Sequence, residues 1–222
     1  MEKKIPRISS ELRRHLVTMP SEIWACSGIV IWGKRIKSLV FTTDIAIIRN
    51  CNADAVLAVY PFTPQQVIAN AIISSAYIPV FCGVGGGTTG GPRVAALAQD
   101  AEAQGAMGVV VNAPIPNDIL KMMRSVIDIP IVATVLSETV DIAAKIESGA
   151  TILNVSAAAR TPEVVSRIRD KYPDVPIIAT GGPTGETIEK TIAAGANAIS
   201  YTPPTTNQLF RELMDQYRGR EW

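Results

Sequence analysis

The chain of 222 residues carries 21 lysines and arginines against 20 aspartates and glutamates, a net charge of +1 with its one histidine neutral. Such a balance gives no electrostatic footprint for nucleic acid or for an acidic membrane surface. At 47% hydrophobic and 18% charged residues the composition is that of a well-buried globular chain, not a disordered or coiled one. No apolar stretch is long enough to span a bilayer, and Met1-Glu2-Lys3-Lys4 lacks the apolar core of a secretory signal. Cys26, Cys51 and Cys82 are odd in number, far apart and without metal-site spacing, so reduced thiols and a cytoplasmic protein are expected.

In chain order, residues 8–18 read as a short helix with Ser9 or Ser10 as its cap and Glu11 following. The only histidine, His15, falls there, and is expected on a helix surface rather than in a site, which removes the usual proton shuttle at physiological pH. Ile29-Val30-Ile31-Trp32, Gly33-Lys34 and Arg35-Ile36-Lys37-Ser38-Leu39-Val40 alternate around a glycine turn, a hairpin signal whose second arm runs on into the next strand. Residues 1–36 are therefore assigned to an amino-terminal helix and hairpin, and residues 37–222 to the body of one domain.

That body repeats. Ile78-Pro79-Val80-Phe81, Ile129-Pro130-Ile131-Val132 and Val175-Pro176-Ile177-Ile178 open alike, and between and after them stand Gly105-Ala106, Gly149-Ala150 and Gly195-Ala196, with Asn52-Ala53-Asp54-Ala55 a weaker fourth. Like openers recur at roughly forty-five to fifty residues, the length of a pair of βα units. Glycine stops the preceding helix in a left-handed conformation, and proline opens a strand without costing a ladder bond, so both mark helix-to-strand turns. Eight apolar runs follow, at about 39–43, 55–60, 79–84, 108–112, 130–135, 152–156, 176–180 and 198–202, and they are continuous, as parallel strands covered on both faces require. Helical patterns follow at 63–76, 92–104, 139–148, 161–171, 184–194 and 206–217. The predicted fold is an α/β class (β/α)8 barrel; an open doubly wound sheet is the rival but has no need of the two-strand rhythm. The hairpin then plugs the amino-terminal mouth.

In such a barrel, chemistry is built at the carboxyl ends of the strands. Those ends read Thr42-Thr43-Asp44, Tyr60-Pro61-Phe62, the run from Gly83 to Gly91, Asn112-Ala113-Pro114, Thr134 to Glu138, Asn154-Val155-Ser156 with Arg160 beyond, Thr180 to Thr184, and Ser200 to Pro204. Gly181-Gly182 before a helix at Thr184 suits an anion, and Thr202 stands where a second half-site belongs, although Pro203 and Pro204 remove amide donors there. The Gly83–Gly91 run, with six glycines in nine residues, is expected to be a lid or anion cradle through Gly86 and Gly87 with Arg93 as charge partner, or a bare connector. Asp44 and Glu138 are the acid–base candidates and the only candidates for holding a divalent cation, Asp44 foremost; Ser137 and Glu138 are alternatively a helix cap. No lysine ends a strand, so a Schiff-base nucleophile is missing.

The stretch from Pro176 to Ile199, with Ala179-Thr180-Gly181-Gly182-Pro183-Thr184-Gly185 at its centre, resembles the strand 7 to strand 8 signature of ribulose-phosphate-binding barrels. Phosphosugar epimerases, thiamine-phosphate synthase, indole-glycerol-phosphate synthase and phosphogluconate-type aldolases belong to that group. The stretch is also similar to glycerol-3-phosphate-responsive antiterminator barrels, and the whole chain looks like a group of bacterial barrels commonly labelled hydrolases. The resemblance implies phosphate at Gly181 and Gly182. It also implies a glycine on strand 8 and, for the aldolases, a lysine on strand 6; this chain has Tyr201-Thr202 and Asn154-Val155-Ser156 there.

The expectation is a cytoplasmic metabolic enzyme of the isomerase, epimerase or carbon–carbon lyase kind, acting on a small phosphorylated metabolite. Asn112, Asn154, Ser156, Arg160 and Arg93 would orient the substrate. No organic cofactor is implied, a divalent cation at Asp44 is allowed, and a homo-oligomer is left open. The alternative is a barrel that binds a phosphorylated ligand without converting it, or a hydrolase.

Overall fold

The computed structural model describes residues 16–219, together with residues 5, 6, 8 and 10. His15 and most of the helix expected over 8–18 lie outside the described residues. Its last three positions are not helical: Val17 forms a parallel bridge with Cys51.

A 3-10 turn (Ser21–Ala25) leads into the hairpin β1 (Ile29–Ile31) and β2 (Lys34–Ile36). Trp32 and Gly33 both take positive φ, 46° and 80°, the two-residue turn whose twist matches paired strands. The eight barrel strands are β3 (Ser38–Phe41), β4 (Ala55–Ala58), β5 (Val80–Gly86), β6 (Gly108–Asn112), β7 (Ile131–Val135), β8 (Ile152–Val155), β9 (Ile177–Thr180) and β10 (Ala198–Tyr201). They close in sequence order, β10 pairing with β3, every pair parallel. The helices are α1 (Ile45–Arg49), α2 (Gln66–Ser75), α3 (Pro92–Ala103), α4 (Asn117–Arg124), α5 (Ile142–Glu147), α6 (Thr161–Lys171), α7 (Gly185–Ala193) and α8 (Thr206–Arg218). The (β/α)8 barrel read from the Pro and Gly openers is therefore the observed fold.

Strand alternation splits the core in two. Outward residues such as Val40, Val56, Val109, Ile131, Leu153, Ile177 and Ile199 pack under the helices. Inward residues Leu39, Leu57, Phe81, Val110, Val132, Ile152 and Ile178 fill the lumen, joined at the amino end by Ile29, Ile31 and Ile36 of the hairpin. The hairpin is the expected plug. Gly108 is where Phe81 needs room: a Cβ there would lie 2.7 Å from its ring.

Around the outside, the layer is uneven. Met19, Ile23 and Cys26 are buried in the outer core, and the 3-10 turn carrying Ile23 packs on α7. α8 buries none of its residues, and Phe210 is 64% exposed. The sequence predicts an eighth helix at 206–217; the helix is present but buries none of its residues, while Met19, Ile23 and Cys26 join the outer core. Among the described residues, no helix is long and apolar enough to cross a membrane.

Candidate functional site at the carboxyl mouth

Five consecutive strands make the same step. The inward pairs are Val110 and Asn112, Val132 and Thr134, Ile152 and Asn154, Ile178 and Thr180, and Ala198 and Ser200. Each strand thus changes from apolar to polar two residues on, at the same inward position. Register sets these groups at two heights: Thr134 pairs with Asn154 and Thr180 with Ser200, but Asn154 pairs with Ile178, so Thr180 and Ser200 stand one inward step above Thr134 and Asn154. Ser156 and Thr202 stand one inward step above Asn154 and Ser200 on their own strands. Across the mouth, β3 to β5 supply Phe41, Leu57, Val59 and Gly83, with Thr42, Thr43 and Tyr60 above them.

The space enclosed is a cavity of about 730 Å³ lined by both arcs. A second lobe of about 350 Å³ shares Val59, Tyr60, Pro61, Asn112, Thr134 and Ser156 with it and extends to Gly86, Gly87, Thr88 and Thr89. The size suits a small metabolite. Its lining is neutral: Tyr60 is the one titratable side chain among the described residues that line either lobe. Its hydroxyl accepts from the Gln65 N–H at 2.9 Å.

Asn154 is the most constrained member. It is 8% exposed; Nδ2 donates to Thr134 Oγ1 at 3.3 Å, and Oδ1 is buried with no partner. A buried amide oxygen left unbonded costs about 1–3 kcal/mol, and native structures seldom keep one without a use.

Of the residues singled out from the sequence, the structure brings Asn112, Asn154, Ser156, Thr202, Gly86 and Gly87 together at this mouth. Asp44 is elsewhere. It caps α1, Oδ1 accepting from the N–H of Ala46 at 2.8 Å and of Ile47 at 3.3 Å, and its Oδ2 accepts from Thr206 Oγ1. Glu138 sits on the opposite side of the barrel, where its carboxylate meets Arg160 Nη2 at 2.6 Å and Arg167 Nη1 at 3.0 Å. Its own backbone N–H and these guanidiniums hold its pKa below the usual carboxylate range. Glu138 does not cap α5 either: Asp141 does, accepting from the Ala144 N–H at 3.0 Å. The facing pair of carboxylates expected across the mouth is thus divided between a helix cap and an ion-pair cluster.

Arg160 also pairs with Glu163 at 3.3 Å, and Arg93 is exposed in the first turn of α3; neither lines the cavity. Gly181, Gly182 and Thr184 also lie outside it. The Gly181 N–H donates to the Ser200 carbonyl at 3.3 Å, and the Thr184 N–H to Thr187 Oγ1 at 3.1 Å in a capping box. The Glu22 carboxylate lies against Gly185, in the space a Cβ would need.

The glycine run is mostly strand. β5 continues through Gly86, and the Gly86 and Thr89 N–H groups donate to each other's carbonyls while the Gly87 N–H donates to Pro114. A Cβ on Gly86, whose φ is +86°, would collide with the Asn112 backbone. These glycines allow close approach of β5 to β6, which leaves only residues 87–91 as loop.

Burial raises the Cys82 thiol to about 12 and the Cys26 thiol to about 11, so both stay protonated and unreactive. Lys145, whose pKa burial lowers, donates from Nζ to the Ile115 carbonyl on the outer layer.

Thr42, Thr43, Tyr60, Thr134, Thr180 and Ser200 fall within the strand ends read from the sequence, but the sequence reading gives none of them a role as a lining residue. The inward two-residue step from Val, Ile or Ala to a polar residue is the signal that finds most of them.

No protein-family model matches the chain, and no curated protein matches it. Solved structures do match in fold. A candidate phosphonomutase from Burkholderia cenocepacia J2315 superposes with a TM-score of 0.63 at 18% identity, over 82% of this chain and 91% of that one. A phosphonopyruvate hydrolase in complex with oxalate and Mg++ gives 0.61 at 14% identity, over 85% and 81%. Thiamine phosphate pyrophosphorylase from Pyrococcus furiosus gives 0.58 at 14% identity, over 74% and 84%. At these identities the likeness is one of (β/α)8 fold.

Proposed function

We propose that this chain is a metabolic enzyme that binds a small polar metabolite at the carboxyl mouth of its barrel. The observation that carries the reading is the neutral polar arc on β6 to β10 that lines a metabolite-sized cavity, together with Asn154 in that arc, whose Oδ1 is buried and unpartnered. The enzymes of similar fold support a catalytic role. Isomerase, epimerase or lyase chemistry moves a proton at carbon, and the Tyr60 hydroxyl is the group assigned to that transfer. Schiff-base chemistry is not part of the reading, because no lysine among the described residues lines either lobe.

A divalent cation like that bound by the hydrolase requires hard oxygen ligands, normally with carboxylates among them. Among the described residues no three histidines, cysteines, aspartates or glutamates gather, and Asp44 is spent on a helix cap. The neutral hydroxyl and amide donors at the mouth do not fit such an ion.

A ribulose-phosphate grouping with a phosphorylated substrate is the finer form of the reading. The sequence from Pro176 to Ile199 and the fold shared with thiamine phosphate pyrophosphorylase support it. The committed N–H groups of Gly181 and Thr184, with Glu22 beside Gly185, weigh against phosphate at that turn. The scarcity of titratable groups in the mouth favours a second reading, a barrel that binds its ligand without converting it.

The test is turnover. Pentoses, ketopentoses and their phosphate esters are incubated with enzyme in deuterium oxide, and exchange at carbon is followed by proton NMR. Exchange that is lost in Tyr60→Phe, with the melting temperature unchanged, supports the enzyme. Binding without exchange supports the second reading, and neither binding nor exchange removes the mouth as a site for such compounds.

A further inference from the structure

Resting on the reading that the mouth holds the ligand, we infer that this ligand is an uncharged polyhydroxy compound of the monosaccharide class, and that it donates a hydrogen bond to Asn154 Oδ1. Three observations converge on this chemistry.

The first is the lining. A charged ligand held between neutral walls loses hydration that no counter-charge returns, and among the described residues the cavity offers it neither guanidinium, ammonium nor carboxylate. The second is the surroundings. Helices in this fold direct their positive N-termini to the carboxyl end of the barrel, which would ordinarily favour an anion. At five of the eight helices the chain's own carboxylates answer them: Asp44 caps α1, Asp141 caps α5, and Asp118, Glu163 and Glu186 stand in the first turns of α4, α6 and α7, whereas α2, α3 and α8 carry none. Of the two arginines at the rim that the sequence offered, Arg160 is held by Glu138 and Glu163.

The third is the asymmetry of the mouth. Hydroxyls and amides on β6 to β10 can both donate and accept, as the hydroxyl edge of a sugar requires. The facing arc presents Phe41, Val59 and the Tyr60 ring, to which the C–H face of the same sugar can pack. Asn154 supplies the fixed point, because Nδ2 is turned to Thr134 and Oδ1 is left for a donor.

The experiment compares D-ribose with D-ribose 5-phosphate by calorimetry on the wild-type protein, Asn154→Leu and Asn154→Asp, with the melting temperature of each variant measured alongside. Wild type should bind ribose at millimolar concentration or tighter, and at least about tenfold more tightly than the phosphate. Asn154→Leu should weaken ribose by about tenfold, the loss of one buried hydrogen bond. Asn154→Asp keeps an acceptor oxygen at the same place, so it should retain ribose binding and discriminate further against the phosphate. This second variant separates a lost contact from a damaged fold.

A wild-type protein that binds the phosphate as tightly as ribose, or binds neither, overturns the inference. Should the phosphate win and Asn154→Leu still abolish it, the mouth stands as the site and only the uncharged ligand falls. Equal binding of either probe by wild type and Asn154→Leu places the probe outside the mouth and removes the site reading with it.

Discussion

At its amino end the barrel lumen is finished by Ile29, Ile31 and Ile36 of the hairpin, packed on Leu39, Val110 and Ile178. At its carboxyl end β6 to β10 carry Asn112, Thr134, Asn154, Thr180 and Ser200 one inward step above that apolar layer, where they line the cavity. One end spends its inward positions on burial and the other on hydrogen-bonding groups held at fixed height. A closed barrel can afford this division because its wall is common to both ends. The apolar middle layer fixes the register, and register then sets the height of each polar group, Thr134 and Asn154 below Thr180 and Ser200.

The largest effects should come from disturbing the shared frame. Ile36→Ala removes a fully buried plug residue and should cost about 2–4 kcal/mol of stability while leaving ligand affinity close to wild type, as chemical denaturation and calorimetry would show. Gly86→Ala sets a Cβ against the Asn112 backbone at a φ of +86°, and should cost about 1–3 kcal/mol. Unlike the plug variant, it should also weaken ligand binding, because the Asn112 that it displaces lines both lobes. Equal binding defects in the two variants would break the comparison between the ends.

Asp44→Ala should cost about 1 kcal/mol through the lost α1 cap, and Asp44→Asn much less, since asparagine caps nearly as well. Any activity should survive Asp44→Asn; its abolition would return Asp44 to the mechanism.

That residue shows where sequence reading stopped. Asp44 followed by Ile45-Ala46-Ile47-Ile48 is legible as a cap, but the short α1 was not read, so the carboxylate seemed free. The barrel itself was legible, because Pro and Gly openers act locally and report every helix-to-strand turn. The ring was only half legible. Asn112 and Asn154 stood out as amides, whereas Thr134, Thr180 and Ser200 are ordinary strand residues until the inward face of each strand is known. The commitment of the Gly181 amide to Ser200, and the seating of the 3-10 turn at Ser21–Ala25 against α7, depend on contacts between segments distant in sequence that no local pattern encodes.

Smaller effects should mark the ring and the rim. Ser200→Ala and Thr180→Val should each stay within about 0.5 kcal/mol of wild-type stability and weaken ligand binding severalfold, the signature of groups that serve a ligand more than the fold. Smaller still is the outer ion-pair cluster. With its pKa depressed in the folded state, Glu138 contributes stability that is present above its ordinary value of 4.5 and is lost as pH falls through the folded value. Arg160→Ala should therefore be slightly less stable than wild type above about pH 5, and the difference should shrink as pH falls below that, a small effect as expected of exposed pairs.

The central claim, that the carboxyl mouth is the ligand site, is tested most directly by nitrogen-15 correlation NMR during titration with D-ribose and its 5-phosphate. The account expects the shifts to gather at Thr42, Tyr60, Asn112, Thr134, Asn154, Ser156, Thr180 and Ser200, including the side-chain amides of both asparagines. Shifts confined to the hairpin end, or to Gly181–Glu186 with Asn154 untouched, would contradict it.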